Sequence, residues 1–372
     1  MQDESTGILL PKKLGFGLMR LPKKGLSIDV EQMKVMVDRF LEAGMTYFDT
    51  AFVYPGSEAA TKKALVDRHP RDSYTLATKL NASIAPTEAA AKKELSASLR
   101  RLGTDYVDFY LLHAIMDSNV QKYDRFRLWD FVNEQKAKGR VRHIGFSFHG
   151  GPELLDRLLA EHPEAEFVQL QLNYADWENP KVQSRAVYEV ARKHGKLITV
   201  MEPVKGGHLA DPGREIRELM RSVDPDASPA SWAIRFVASL EGILTVLSGM
   251  SNVAQMEDNL SYMRDFRPLN EAERAVISQA QEILGRSAAI PCTACRYCVE
   301  GCPQQIPIPD IFAAMNKRLG AGQLDEAAAD YRAAVSEGHR ASDCVGCGQC
   351  EDACPQHLPI RDHLKTCAIH LE

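Results

Sequence analysis

Eight of the nine cysteines fall in two copies of one pattern near the C-terminal end. The first reads Cys292-x-x-Cys295-x-x-Cys298-x-x-x-Cys302-Pro303, the second Cys344-x-x-Cys347-x-x-Cys350-x-x-x-Cys354-Pro355. Thiolates repeating every third residue wrap one face of an iron–sulfur cubane. The fourth, held by its proline, points away and ligates the neighbouring cluster. That crossing predicts one [4Fe–4S] cluster on Cys292, Cys295, Cys298 and Cys354 and a second on Cys344, Cys347, Cys350 and Cys302. A single run would also suit structural zinc, but two identical runs closed by proline leave little room for it. Such clusters move electrons one at a time. The ninth cysteine, Cys367, has no partner at ligand spacing and reads as a buried spare thiol.

A second reactive set, Asp49, Tyr54, Lys79 and His113, is spread over the first third of the chain. Taken singly, each has a plain reading: a strand-end cap, a loop phenol, a solvated charge, a core histidine. Together on one rim they form an acid–base set. A lysine ammonium beside a phenol favours the phenolate and is expected to lower the Tyr54 pKa. Asp49 would keep that lysine charged and oriented. Tyr54 would then donate a proton near neutral pH, while His113 hydrogen-bonds and polarises a carbonyl from a second side.

These residues need elements to bring them together. Apolar, β-branched runs alternate with helical patterns along the chain. Strands are expected at Leu14–Leu18, Thr46–Thr50, Tyr74–Lys79, Tyr106–His113, Val141–Ser147, Phe167–Asn173, Leu197–Glu202 and Ile243–Ser248. Helices are expected to start near Asp29, Ser57, Thr87, Tyr123, Gly151, Pro180, Ser228 and Asn252. Asp29 with Gln32 and Asn270 with Glu273 have capping spacing, and Pro229 after Ser228 suits a first helical position. Gly44, Gly103, Gly139 and Gly195 stand where helices stop. Strand–helix pairs in this number predict an α/β fold, a (β/α)8 barrel, followed by a small, mainly helical di-cluster ferredoxin-like domain. The boundary falls at residues 1–285 and 286–372, with Gly285–Ala289 as the hinge and Ile308–Arg340 as a helical spacer between the cysteine runs. A doubly wound sheet is the rival, but no G-x-G-x-x-G follows any strand. In a barrel the strand ends form the active rim, which is where Asp49, Lys79 and His113 fall.

The chain resembles the aldo-keto reductases, on GMTYFDTAFVYPGSE (44–58), ATKL (77–80), LLHA (111–114), IGFSFHG (144–150), VQLQLNY (168–174) and SGMSNVAQMEDNL (248–260). The tail resembles the di-cluster domain carried by one branch of that family. The resemblance implies that Tyr54 is the general acid, tuned by Lys79 and Asp49, with His113 orienting the carbonyl. It implies that Ser147 and Gln169 hold the nicotinamide carboxamide, that Met201 lies against the ring, and that Gly249, Ser251, Gln255 and Asn259 grip the adenosine end. Where members specific for NADPH place a lysine and an arginine, this chain has Gly249 and Gln255, so NADH and NADPH both stay open. Phe148 and Met201 are further departures from the family pattern.

The net charge of −5 argues against nucleic acid and anionic membranes as partners. No stretch approaches the roughly 20 apolar residues of a membrane span, and the N-terminal MQDESTGILLPKK lacks the base and apolar core of a signal peptide. Thiolate clusters need a reducing compartment, so a cytoplasmic location is expected. One mismatch stands. Nicotinamide delivers two electrons as hydride, a cluster moves one, and enzymes that join them place a flavin between. Three accounts follow: a carbonyl reductase with structural or regulatory clusters, a barrel with a flavin fed by the clusters, or an inactive barrel in an electron-transfer or redox-sensing protein. The partners are then a small-molecule substrate and a redox partner protein. The substrate is decided by the loops Ile115–Arg127, Tyr174–Asn179 and Lys205–Asp226. Arg125, Arg127, Arg214 and Arg217 read as surface charge.

Overall fold

The computed structural model describes residues 7–320, 324–335 and 338–372. Eight short apolar runs lie side by side and close on themselves: β1 Leu14–Gly17, β2 Tyr47–Asp49, β3 Thr75–Leu80, β4 Val107–Ile115, β5 Val141–Phe148, β6 Phe167–Gln171, β7 Leu197–Met201 and β8 Ile243–Ser248. Their order around the barrel is β1-β8-β7-β6-β5-β4-β3-β2, and every pairing is parallel. Each expected strand is present, with ends displaced by one or two residues at most. They were visible because a parallel strand covered by helices is buried on both faces and reads as a continuous apolar run. All nine residues of β4 are buried.

The barrel interior is packed solid. The Tyr47, Phe109 and Phe167 rings meet at 5.2 and 5.0 Å between centroids, in the tilted and edge-on arrangements aromatic pairs favour. Gly145 makes room for them: a Cβ there would lie 2.4 Å from the Phe167 carbonyl oxygen. With the interior filled, chemistry is confined to the rim.

The helix starts follow the expected caps. Asp29 Oδ1 accepts from Gln32 N at 3.0 Å, and Asn270 with Glu273 forms a reciprocal capping box. Gly44, Gly103, Gly139 and Gly195 all have positive φ at helix ends. Three loops depart from expectation. The helix placed at Tyr123 is two, Val120–Arg125 and Leu128–Ala137, broken where Arg127 turns left-handed at φ 47. The helix placed at Pro180 starts at Ser184, because Asn173, Asp176 and Asn179 fold the preceding residues into side-chain-capped turns. The loop after β7 contains a helix of its own, Arg214–Arg221.

Beyond Gly285 the chain is mainly helical, with Ile308–Gly320 and Leu324–Ala334 lying between the cysteine runs. This region has its own core of Ile306, Ile311, Phe312, Met315, Ile360 and Leu364. Cys367 is fully buried in it. Among the described residues no helix is long and apolar enough to cross a membrane.

Candidate active site at the barrel mouth

Strand register places the reactive residues. Gly17 pairs with Asp49, Asp49 with Ala77, and Lys79 with Leu111, which levels three strand ends on one rim. Lys79 is fully buried. Its ammonium forms an ion pair with Asp49 Oδ1 and donates to Thr50 O at 2.8 Å. Tyr54 comes from the loop after β2. Ser57 holds that loop, bonding Thr50 Oγ1 at 2.8 Å and donating to Leu18 O at 2.9 Å. The Tyr54 ring centroid lies 5.1 Å from Lys79 Nζ and 5.8 Å from the His113 ring, edge-on. Asp49, Tyr54, His113 and Gln169 line one cavity of about 320 Å³, within the size range of small-molecule sites. Lys79 stands behind Asp49.

Burial pushes Asp49 up and Lys79 down, while their mutual attraction pulls both back toward the charged forms. Tyr54 corrects the expectation drawn from its lysine neighbour. Its pKa is raised, first by burial and then by the charges of Asp49 and Glu202. Lys79 spends its charge on Asp49 and Thr50, so the phenol is held protonated. The His113 pKa is lowered by burial and then by Lys79. Its Nδ1 is buried without a hydrogen-bond partner among the described residues. Burial, then His357, likewise lowers His149 to about 4.

Gln169, Met201, Gly249, Ser251, Gln255 and Asn259 all line the same cavity. Gln169 Nε2 reaches Asp49 Oδ2 at 3.5 Å. Ser251 N donates to Gln255 Oε1 at 2.7 Å, and Asn259 Nδ2 to Gln255 O at 2.9 Å. Ser147 stands apart from the lining. Its Oγ accepts from Ala114 N at 2.7 Å and holds that residue at φ 56. Arg20, Glu202, Asp258, Cys295, Tyr297 and Pro355 also line the cavity. Sequence reasoning missed them. Glu202 closed a predicted strand and so carried a signal; the last three come from the cysteine region, and nothing local points them at the barrel.

The cysteine region is seated on the barrel mouth. Arg20 donates to Thr293 O at 2.7 Å, and Ser251 Oγ donates to Arg20 O at 2.7 Å. His208 Nε2 donates to Cys292 O at 2.8 Å, and His357 Nε2 to His149 O at 3.1 Å. Gly206, at φ +65, lies so close to Thr293 that a Cβ would sit 2.7 Å from its backbone. The Gln171 and Gln356 amides exchange hydrogen bonds of 3.1 and 3.0 Å while buried. Lys205 donates to Gln356 Oε1 at 3.2 Å and ion-pairs with buried Asp176.

Cys302, Cys344, Cys347 and Cys350 line one small cavity with Pro303, Ile306, Ile308 and Leu364. The Cys298 thiol is pushed up by burial and then by Cys295, Cys292, Cys354 and Cys350 nearby.

The aldo/keto reductase family model matches residues 13–282, and a 4Fe-4S dicluster domain model matches 291–358. An uncharacterized oxidoreductase of Schizosaccharomyces pombe is 26% identical over 266 residues, covering 68% of this chain and 82% of the relative. Holo aldo-keto reductase AKR11C1 from Bacillus halodurans superposes with a TM-score of 0.60 at 25% identity, covering 75% of this chain and 95% of that one. An aldo/keto reductase from Klebsiella pneumoniae, solved in complex with NADP and acetate, gives a TM-score of 0.59 at 21% identity, covering 72% and 90%. With a closed parallel barrel, its reactive residues on the rim and a family match over most of its length, this chain is an oxidoreductase and belongs to the aldo/keto reductase family.

Proposed function

We propose that the chain reduces a carbonyl compound with NADH or NADPH, with Tyr54 as the proton donor. The observation that supports this best is the convergence of Tyr54, His113 and the buried Lys79–Asp49 pair beside one cavity. A bound nicotinamide supplies the hydride. The chain's own groups handle the proton and the orientation. His113, neutral at working pH, hydrogen-bonds the carbonyl oxygen. Tyr54 gives its proton to the same oxygen as negative charge builds there. The phenolate left behind takes its proton back from solvent, while the Lys79–Asp49 ion pair, with Lys79 Nζ 5.1 Å from the ring centroid, keeps the rim beside it in place.

The residues present fit a nucleotide along this cavity. Gln169 and Met201 would hold the nicotinamide end, and Gly249, Ser251, Gln255 and Asn259 the adenosine end. Ser147 would act through the Ala114 turn. Arg20 is the one cation in the described lining, and Asp258 stands beside the adenosine-end residues. A 2′-phosphate would lack its cationic partners there, which favours NADH. In the region 286–372, Cys292, Cys295, Cys298 and Cys354 would hold one [4Fe–4S] cluster, and Cys302, Cys344, Cys347 and Cys350 the other, each supplying one-electron chemistry.

The Tyr54→Phe variant tests the reading. Its kcat for aldehyde reduction should fall by about 10²–10⁴ with nucleotide affinity retained; full activity would sink the assignment. A second reading has one observation in its favour: Cys295 shares the cavity with Tyr54. In that reading the clusters relay electrons to the barrel, through a flavin on the rim. Flavin bands in anaerobically purified protein, and cubane EPR signals that respond to substrate, would support it over hydride transfer alone.

A further inference from the structure

A second cleft, of about 870 Å³, opens beside the tetrad between the barrel and the cysteine region. The barrel wall carries Ile84 and Met116; the opposite wall carries Gly301 and Ala353. Ala114 lines this cleft while its neighbour His113 lines the reaction cavity. Tyr297 is the residue common to both linings, so it stands between the two cavities. It lies between Cys295 and Cys298 in the sequence, so the cysteine run sets its position.

Lys122 and Arg125 on one wall face Glu300 and Asp352 on the other, and the charges balance. The cleft therefore does not select for net charge. Its apolar lining is Ile84, 50% exposed, with Ala114, Met116 and Ala353.

We infer that the cysteine region builds half of the substrate site. The cleft receives the tail of a long, uncharged aldehyde or ketone, and Tyr297 sets how far that tail extends past Tyr54. This rests on the carbonyl-reduction reading above. Reducing an extended carbonyl at Tyr54 requires its chain to leave the reaction cavity. The nucleotide would take the other end of that cavity, and Tyr297, common to both linings, stands on the way from Tyr54 to the cleft.

The test uses protein purified without oxygen, NADH, and straight-chain aldehydes from propanal to octanal. The wild type should gain in kcat/KM with length, by up to about fourfold per fully buried methylene. Tyr297→Ala removes the side chain between the two cavities and should raise the octanal-to-propanal ratio about tenfold, whereas Ile84→Trp narrows the cleft and should lower it about tenfold. Tyr297→Phe keeps a ring of the same width and should keep the ratio. NADH affinity by fluorescence and the visible absorbance of the clusters should be unmoved in Ile84→Trp, which stands outside the reaction cavity. Should Tyr297→Ala fail to assemble, Ile84→Trp, remote from the cysteines, decides the matter. Ratios unmoved in correctly assembled variants, with reduction still dependent on Tyr54, overturn this inference alone. Reduction that persists unchanged in Tyr54→Phe overturns the carbonyl-reduction reading and this inference with it.

Discussion

Replacing Gln356 by leucine should loosen the cysteine region from the barrel mouth. Three buried hydrogen bonds end on this amide: two exchanged with Gln171, at 3.1 and 3.0 Å, and one from Lys205 at 3.2 Å. After the substitution Gln171 Nε2 keeps Asp176 Oδ2 at 3.0 Å, and Lys205 keeps its ion pair with Asp176. Gln171 Oε1 keeps nothing equivalent. A buried acceptor left alone costs about 1–3 kcal/mol, and the lost donor contact of a charged lysine adds to it, so about 2–4 kcal/mol is expected. Native-state hydrogen exchange in the helix Ile360–Leu371 is the assay, because local opening is read without global unfolding. That energy corresponds to exchange about 30- to 1000-fold faster. Removing both amides, as Gln171→Leu with Gln356→Leu, leaves fewer orphaned groups than either single change. The cycle should therefore show a favourable coupling of about 1–2 kcal/mol. Strict additivity, or unchanged exchange in the single variant, would refute the idea that this amide pair latches the two parts together.

Other expectations follow from charge and burial. Tyr54 is held protonated above the ordinary phenol range and His113 neutral below the ordinary imidazole range. Reductive kcat should then stay flat from about pH 6 to 9 and fall only as the phenol ionises, above about 10; an inflection near neutrality in the pH–rate profile would contradict this. Burial pushes Glu94 up to about 7, above its unfolded range of about 4.3. The folded state thus holds the proton more tightly, and the stability this lends is lost as pH rises through about 7. Glu94→Gln should raise stability at pH 8 by about 1–3 kcal/mol and change little at pH 4, read from unfolding midpoints; equal shifts at both would argue against it. Cys302→Ser should remove about half the iron and the cluster of the second run, leaving the first run's EPR signal in place. Loss of the first run's signal instead would reverse the crossing.

What the sequence made legible was local. The eight strands were readable because each is a buried apolar run, and Asp49, Lys79 and His113 were readable because they end or interrupt such runs. Non-local burial was not readable. Nothing near Tyr54 announces that Cys295 and Pro355 close over it, so a lysine neighbour suggested a lowered pKa where the folded chain raises it. The Gln171–Gln356 pair spans 185 residues and follows no period. Ser147 lay at the expected strand end, but the left-handed Ala114 that engages its hydroxyl is a backbone feature no side-chain pattern records.

The hydrogen bonds from Ser251 to Arg20 and from Arg20 to Thr293 make a tether two bonds long. It joins the segment at one end of the cavity to the backbone just after the first cysteine. Such a tether acts in both directions. On the proposed assignment, a nucleotide that ordered Ser251 would stiffen the Thr293 backbone, and a change at Cys292 would be felt at Ser251 with the same coupling free energy. Measured as linkage, any factor by which iron loss weakened nucleotide binding would equal the factor by which nucleotide strengthened iron retention.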